Sequence, residues 1–157
     1  MDIEIWSIGK ENDKHIEEGV QLYIKKTQPW NKVKLEILSL PKKLQTTDVQ
    51  QTKKLEEALI LKKLQSNHTL VLLDERGKSL DSLQWAQQFQ QFMNQGTRTL
   101  VLLIGGAFGV SEVIREKASQ VWSLSKLVFP HQLVRLILAE QVYRSFSILN
   151  NAPYHHQ

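Results

Sequence analysis

The sequence predicts an α/β fold in which helices flank a mostly parallel sheet. Three observations carry that reading. Strand-like and helix-like segments alternate five times, two continuous apolar runs at mid-chain have the form of strands covered on both faces, and no repeat or low-complexity segment breaks the order. At 157 residues the chain has the length of one domain.

Met1 to Ile8 sets Ile3, Ile5 and Ser7 on one face and Glu4, Trp6 and Ile8 on the other, a short strand closed by Gly9. Asp13 to Lys26 has Ile16, Val20, Tyr23 and Ile24 at helical spacing, and Thr27-Gln28-Pro29 ends the helix because proline restricts the residue before it. Lys32 to Leu40 alternates Val33, Leu35 and Ile37 inward with Lys32, Lys34 and Glu36 outward, a half-buried strand. After a polar loop over Pro41 to Thr47, Asp48 is placed to cap a helix running to Gln65, with Leu55, Leu59, Leu61 and Leu64 covering one side.

His68 to Asp74 is the first fully apolar strand and Thr97 to Ile104 the second, the latter running into Gly105-Gly106. Between them Ser82 to Phe92 is a glutamine-rich helix, with Leu83, Trp85, Phe89 and the adjoining Met93 as its apolar residues. Ser111 to Ala118 reads as a short helix, Gln120 to Leu124 as the last strand and Gln132 to Asn150 as a long C-terminal helix.

Composition excludes several classes of function. Hydrophobic residues at 41% and charged residues at 23% fit a folded chain rather than a disordered one. No apolar run reaches membrane-spanning length, and Met1 to Lys10 has no secretory h-region, so a soluble cytoplasmic protein with no membrane partner is expected. The absence of cysteine removes disulfides, thiolate nucleophiles and sulfur-ligated zinc, and no metal site is expected. The formal charge of +4 makes an anionic partner plausible, with a basic zone at residues 41–65 and a milder one at 111–157. So small an excess does not hold a long nucleic acid by phosphate neutralisation alone, because that effect scales with the phosphates contacted.

Open parallel sheets place ligands beyond the carboxyl ends of their strands. Two segments stand there: Glu75-Arg76-Gly77-Lys78, and Gly105-Gly106-Ala107-Phe108-Gly109-Val110-Ser111. The glycines permit close approach of a ligand to the backbone, and a tight strand-to-helix turn explains them equally well. The spacing is neither that of a dinucleotide fingerprint nor that of a triphosphate loop, and there is no nucleophile elbow. A third segment, Trp122 to His131, leads from the last strand into a proline-started helix; Trp122 and Leu124 read as core there, and His131 as a hydrogen-bonding residue of the helix N-terminus. On the final helix Glu140 and Arg144 form an i, i+4 pair, readable as a solvated ion pair, while Arg135 lies roughly 180° from Arg144. The tail from Asn151 to Gln157 reads as frayed.

Taken together, Leu103 to Gly109, Trp122 to Ser125, Phe129-Pro130-His131, Leu133-Val134-Arg135, Glu140 to Arg144 and Pro153-Tyr154-His155 resemble the RlmH family of the SPOUT superfamily. The resemblance covers the whole chain and is most specific toward its C-terminus. It implies a SPOUT-type sheet with a C-terminal deep trefoil knot, the knot and cofactor site occupying roughly residues 70–157 of a single domain, and a homodimer. It also implies methyl transfer from S-adenosyl-L-methionine to N3 of a pseudouridine in helix 69 of 23S rRNA, on the assembled 70S ribosome. Surfaces of two chains and of the ribosome would then supply the recognition that a modest charge does not.

Carried onto this sequence, the cofactor residues are Leu73, Gly105, Gly106, Ser125, Lys126, Leu127, Val128, Phe129 and Pro130. Arg144, Tyr154 and His155 fall on the substrate side as catalytic residues, and His156 takes no role. A uracil-type N3–H titrates well above neutrality, so a base, or a cation that stabilises the developing anion, would help, with His131, Arg135, Tyr143, Arg144, Tyr154 and His155 as candidates. Rival readings are a SPOUT methyltransferase of another rRNA or tRNA nucleotide, and a non-catalytic RNA-binding protein. A nicotinamide-dependent enzyme is disfavoured by the glycine spacing.

Overall fold

Alternation of inward and outward side chains along the strands builds the molecule outward from its sheet. The structure, a computed structural model, describes residues 1–156. In chain order its elements are β1 (Asp2–Ile8), α1 (Lys14–Thr27), β2 (Val33–Leu38), α2 (Val49–Lys63), β3 (His68–Ser79), α3 (Ser82–Asn94), β4 (Thr99–Ile104), α4 (Glu112–Lys117), β5 (Gln120–Ser123) and α5 (His131–Leu149), with one 3-10 turn at Lys42–Leu44. The five strands form one parallel sheet in the order β2-β1-β4-β3-β5.

Each central strand sends alternate residues to opposite layers. Ile3, Ile5, Val71, Leu100, Leu102 and Ile104 face a layer containing α1, α3 and α5, where Trp85, Phe89, Trp122 and Phe146 pack as an aromatic cluster. Trp6, Ile8, Leu70, Leu72, Val101 and Leu103 face the other layer, where Ile60 of α2 and Ile114 of α4 cover them. Side-chain caps fix the starts of α2 and α3: Asp48 Oδ1 accepts from the Gln51 amide at 2.8 Å, and Asp81 forms a reciprocal capping box with Gln84.

Three expectations are corrected. The first concerns β3, which continues past Asp74 to Ser79. β4 runs out at Ile104, opposite Leu73, but β5 still offers backbone, so β3 bulges and pairs a second time through Lys78 with Trp122 and Ser79 with Ser123. The polar side chains of Glu75 and Arg76 point to solvent there, which is why the segment reads as a loop. Gly77 makes the second pairing possible, since a Cβ there would stand 2.7 Å from the carbonyl carbon of Trp122.

The second concerns α2, where Ile60 is the one fully buried side chain, with Leu59, Leu61 and Leu64 only packed around it. The third is in the edge strand β2, where Val33 and Leu38 are buried on opposite faces and Leu35 and Ile37 only partly, because a single neighbour and few helices cover that edge.

Candidate active site

The carboxyl ends of β1, β3, β4 and β5 open onto two adjoining cavities. The one above β3, β4 and β5, about 570 Å³, is lined by Leu73, Gly105, Gly106, Ser125, Leu127, Val128 and Phe129, all expected from the sequence to hold the cofactor. Lys126 is exposed and does not line it, and Pro130 lines the neighbouring cavity instead.

The local structure explains the shape of the larger loop. The Gly109 amide donates to the Gly106 carbonyl at 3.0 Å, so the chain reverses immediately after β4. A Cβ on Gly106 would stand 2.6 Å from the Glu56 carboxylate, so any side chain here has to push Glu56 of α2 away from the loop. The loop after β5 is ordered by its own hydroxyls: Ser123 Oγ donates to the Ser125 carbonyl at 3.0 Å, and the Leu127 amide donates to Ser125 Oγ at 2.9 Å. His131, in the first turn of α5, joins the two loops. Its Nε2 lies 2.7 Å from the Gly105 carbonyl, and since a carbonyl only accepts, Nε2 carries the hydrogen and Nδ1 is left as an acceptor.

Several lining groups carried no sequence signal. Lys53 and Glu56 reach the site from α2, a placement that depends on how a distant helix crosses the sheet. Burial raises the Glu56 carboxyl above its usual range. Asp74 is the opposite case: hydrogen bonds from Arg76, with the Arg115 charge adding to them, hold its carboxyl down at about 2. It is thus a neutralised anchor rather than a free base.

The donor set fits an adenine nucleoside with a charged amino-acid arm. The volume lies within the roughly 300–1,000 Å³ of small-molecule sites. Leu127, Phe129 and Val134 supply apolar walls, the glycine loop supplies close backbone, and Lys53 supplies a cation. Among the described residues, no group of three or more His, Asp or Glu is arranged to hold a metal.

Arg144, Tyr154 and His155 do come together, but at the far end of α5. Arg144 Nε donates to Glu140 Oε1 at 2.9 Å, the Tyr154 hydroxyl donates to the same oxygen at 3.0 Å, and Arg144 Nη1 lies 3.2 Å from His155 Nδ1. The Glu140–Arg144 pair is therefore half-buried and part of a cluster, not solvated. Nor is the tail frayed over residues 151–156, Gln157 lying outside the described residues. Asn151 turns the chain at φ 52°, the Ala152 amide caps the helix through the Ser147 carbonyl at 2.8 Å, and the Tyr154 ring packs 4.6 Å from that of Tyr143.

Arg144 and His155 are set as donors, while the Tyr154 hydroxyl gives its one hydrogen to Glu140. Arginine donates to His155 Nδ1, which occupies that acceptor, and burial together with Tyr23 and Glu140 raises the Tyr154 phenol well above its ordinary value. None of the three lines either cavity. Arg144 is ten residues beyond Val134 of the cavity wall, about 15 Å along the helix.

A parallel α/β sheet whose strand ends and glycine loop shape a nucleoside-sized cavity is what a SPOUT methyltransferase requires, and a family model described as "Predicted SPOUT methyltransferase" matches residues 1–155. The chain belongs to the SPOUT methyltransferase family. Within it, the chain is similar to proteins named ribosomal RNA large subunit methyltransferase H, which supports the RlmH resemblance. That of Flavobacterium johnsoniae is 43% identical over the full length of both chains, that of Christiangramia forsetii 41% over the full length of both, and that of Bacteroides thetaiotaomicron 38% over 96% of each.

Proposed function

We propose that this chain is an rRNA methyltransferase that transfers the methyl group of S-adenosyl-L-methionine to N3 of a pseudouridine in helix 69 of 23S rRNA, acting in the cytoplasm on the assembled 70S ribosome. The observation that carries the proposal is the convergence of Leu73, the glycine loop and the Ser125–Phe129 loop on one cavity, in a chain whose full-length relatives bear an rRNA methyltransferase name. We further propose one domain over residues 1–157, with the segment from about 70 onward forming a deep trefoil knot around the cofactor site. Pairing of β5 with β3 rather than β4, and the His131 bond back to Gly105, support that reading.

The cofactor supplies a methyl group already activated on a sulfonium, which leaves the protein to position the acceptor and handle one proton. Leu127 and Phe129 exclude water from the nucleoside side, and Lys53 is placed for a carboxylate. Arg144 and His155, as donors, hold RNA oxygens, and Tyr154, whose hydroxyl donates to Glu140, offers its oxygen to the RNA as an acceptor. Because they lie far from the cavity of their own chain, the working unit is a homodimer in which a second copy brings its C-terminal cluster to each cofactor site.

The test is calorimetric titration of S-adenosyl-L-methionine, followed by incubation with labelled cofactor and unmethylated 70S ribosomes and mapping of the labelled nucleotide. Binding together with label at a pseudouridine of 23S RNA is expected. Label at another nucleotide would move the substrate assignment, and absence of binding would overturn the enzyme reading.

A further inference from the structure

The second cavity, about 680 Å³, lies above β1 and β4 and shares Gly106, Ala107 and His131 with the cofactor cavity as a common wall. Arg135 closes its floor. This side chain is 1% exposed, yet no carboxylate pairs with it among the described residues. Its Nε donates to Ser7 Oγ at 2.7 Å, and its Nη1 to the Lys10 carbonyl and Asn12 Oδ1, each at 2.8 Å. Those bonds fix the fork without neutralising it. Nη2 makes none of them and lies against Gly9, which lines the same cavity wall as Arg135.

An arginine stays charged in proteins, and a buried charge held only by neutral acceptors leaves its attraction for an anion unspent. The other charged and titratable groups around it are Lys10, Asp13 and His15 on the β1–α1 side, Glu56 of α2, and His131 of α5, with Glu11 and Glu17 acting on Arg135 from farther off.

We propose that this second cavity receives the uracil-type base to be methylated, that Arg135 holds the negative charge developing on that base, and that His131 Nδ1 takes its N3 proton. The inference rests on the methyltransferase reading above. The uracil edge presents two carbonyl oxygens flanking N3–H. As the N3–H bond breaks, the proton passes to Nδ1 and the electron pair spreads onto N3 and those carbonyls, within reach of Nη2. S-adenosyl-L-methionine, when bound, would supply the methyl group to that N3 pair and leave as the neutral thioether. His131 is the candidate base whose acceptor nitrogen is open: Nδ1 of His155 is engaged by Arg144, and the Tyr154 phenol stays protonated. Its place on the shared wall puts the proton acceptor between the two cavities.

The test compares wild type with Arg135→Gln, Arg135→Lys, His131→Gln and Leu133→Trp, the last placing bulk in the second cavity alone. The readouts are calorimetric affinity for S-adenosylhomocysteine and single-turnover methylation of unmethylated ribosomes at saturating cofactor. In Arg135→Gln the saturating rate should fall about 100-fold or more with affinity kept within about threefold, and the deficit should narrow from pH 7 to 9 as N3 ionises without help. Arg135→Lys should recover only part of the rate. His131→Gln should show the same narrowing, and Leu133→Trp a comparable rate loss at every pH. Should Arg135→Gln fail to fold, Leu133→Trp and His131→Gln decide the matter alone.

An unchanged saturating rate in Leu133→Trp overturns the proposal. So does an Arg135→Gln enzyme whose saturating rate is intact while the half-saturating ribosome concentration rises and its salt dependence falls, which marks an RNA phosphate contact. Failure of the wild type to methylate a pseudouridine is a separate outcome and would overturn the functional reading beneath.

Discussion

Arg144 and His155 are joined side chain to side chain at 3.2 Å, so the last turns of α5 and the tail beyond it form one unit built around Glu140. Replacing either residue with alanine should cut single-turnover methylation by about 100-fold while leaving cofactor affinity nearly intact, because neither lines the cofactor cavity. Rapid-quench kinetics beside calorimetry would show the split, and an unchanged rate would remove that residue from the mechanism.

A site shared between two copies predicts complementation. Arg144→Ala and Gly106→Val are each expected to be inactive, the second because its side chain would collide with Glu56 and fill the cofactor loop. Mixed after mild unfolding and refolding together, they should form some heterodimers with one intact site and recover up to about a quarter of wild-type activity by random pairing. No recovery, with heterodimers demonstrated by mass spectrometry, would place the whole site in one chain.

Gly77→Ala should destabilise the fold by about 1–3 kcal/mol or more, since the new methyl meets the Trp122 backbone at 2.7 Å and backbone does not yield as a side chain does. Urea denaturation would read the change as a lower midpoint at constant slope.

Asp74 makes stability depend on acid. Its folded carboxyl titrates at about 2 against an ordinary 3.8, so the folded state binds this proton less readily than the unfolded one. The contribution is fully present above about pH 4 and disappears as pH falls toward 2. Asp74→Asn should therefore melt below wild type at pH 7, with the gap closing across that window. A constant gap would mean that the loss came from packing.

His68 to Asp74 and Thr97 to Ile104 were legible because a short apolar run with polar residues at its ends has the length and form of a strand covered on both sides. The glycine loop was legible as well, since few residue types allow such a turn. The burial of Ile60 and the reach of Lys53 and Glu56 into the site were not, because they depend on the crossing of α2 over the sheet, and α2 has no sharp apolar stripe. Sequence placed Arg135 and Arg144 on opposite sides of one helix, and the structure bears that out. Which side faced a cavity depended on Ser7 and Asn12, more than 120 residues away.

The sheet order also bears on how the chain is made. β1 lies between β2 and β4, and its second neighbour, Thr99–Ile104, is synthesised almost a hundred residues after it. Arg135 then reaches back to Ser7 across a separation of 128 residues. An emerging N-terminal half therefore holds a strand with one edge unpaired, and such long-range pairing is slow to form. Neither cavity has its full set of walls until the start of α5 has left the exit tunnel, so a nascent chain cut before α5 lacks the proposed methylating site.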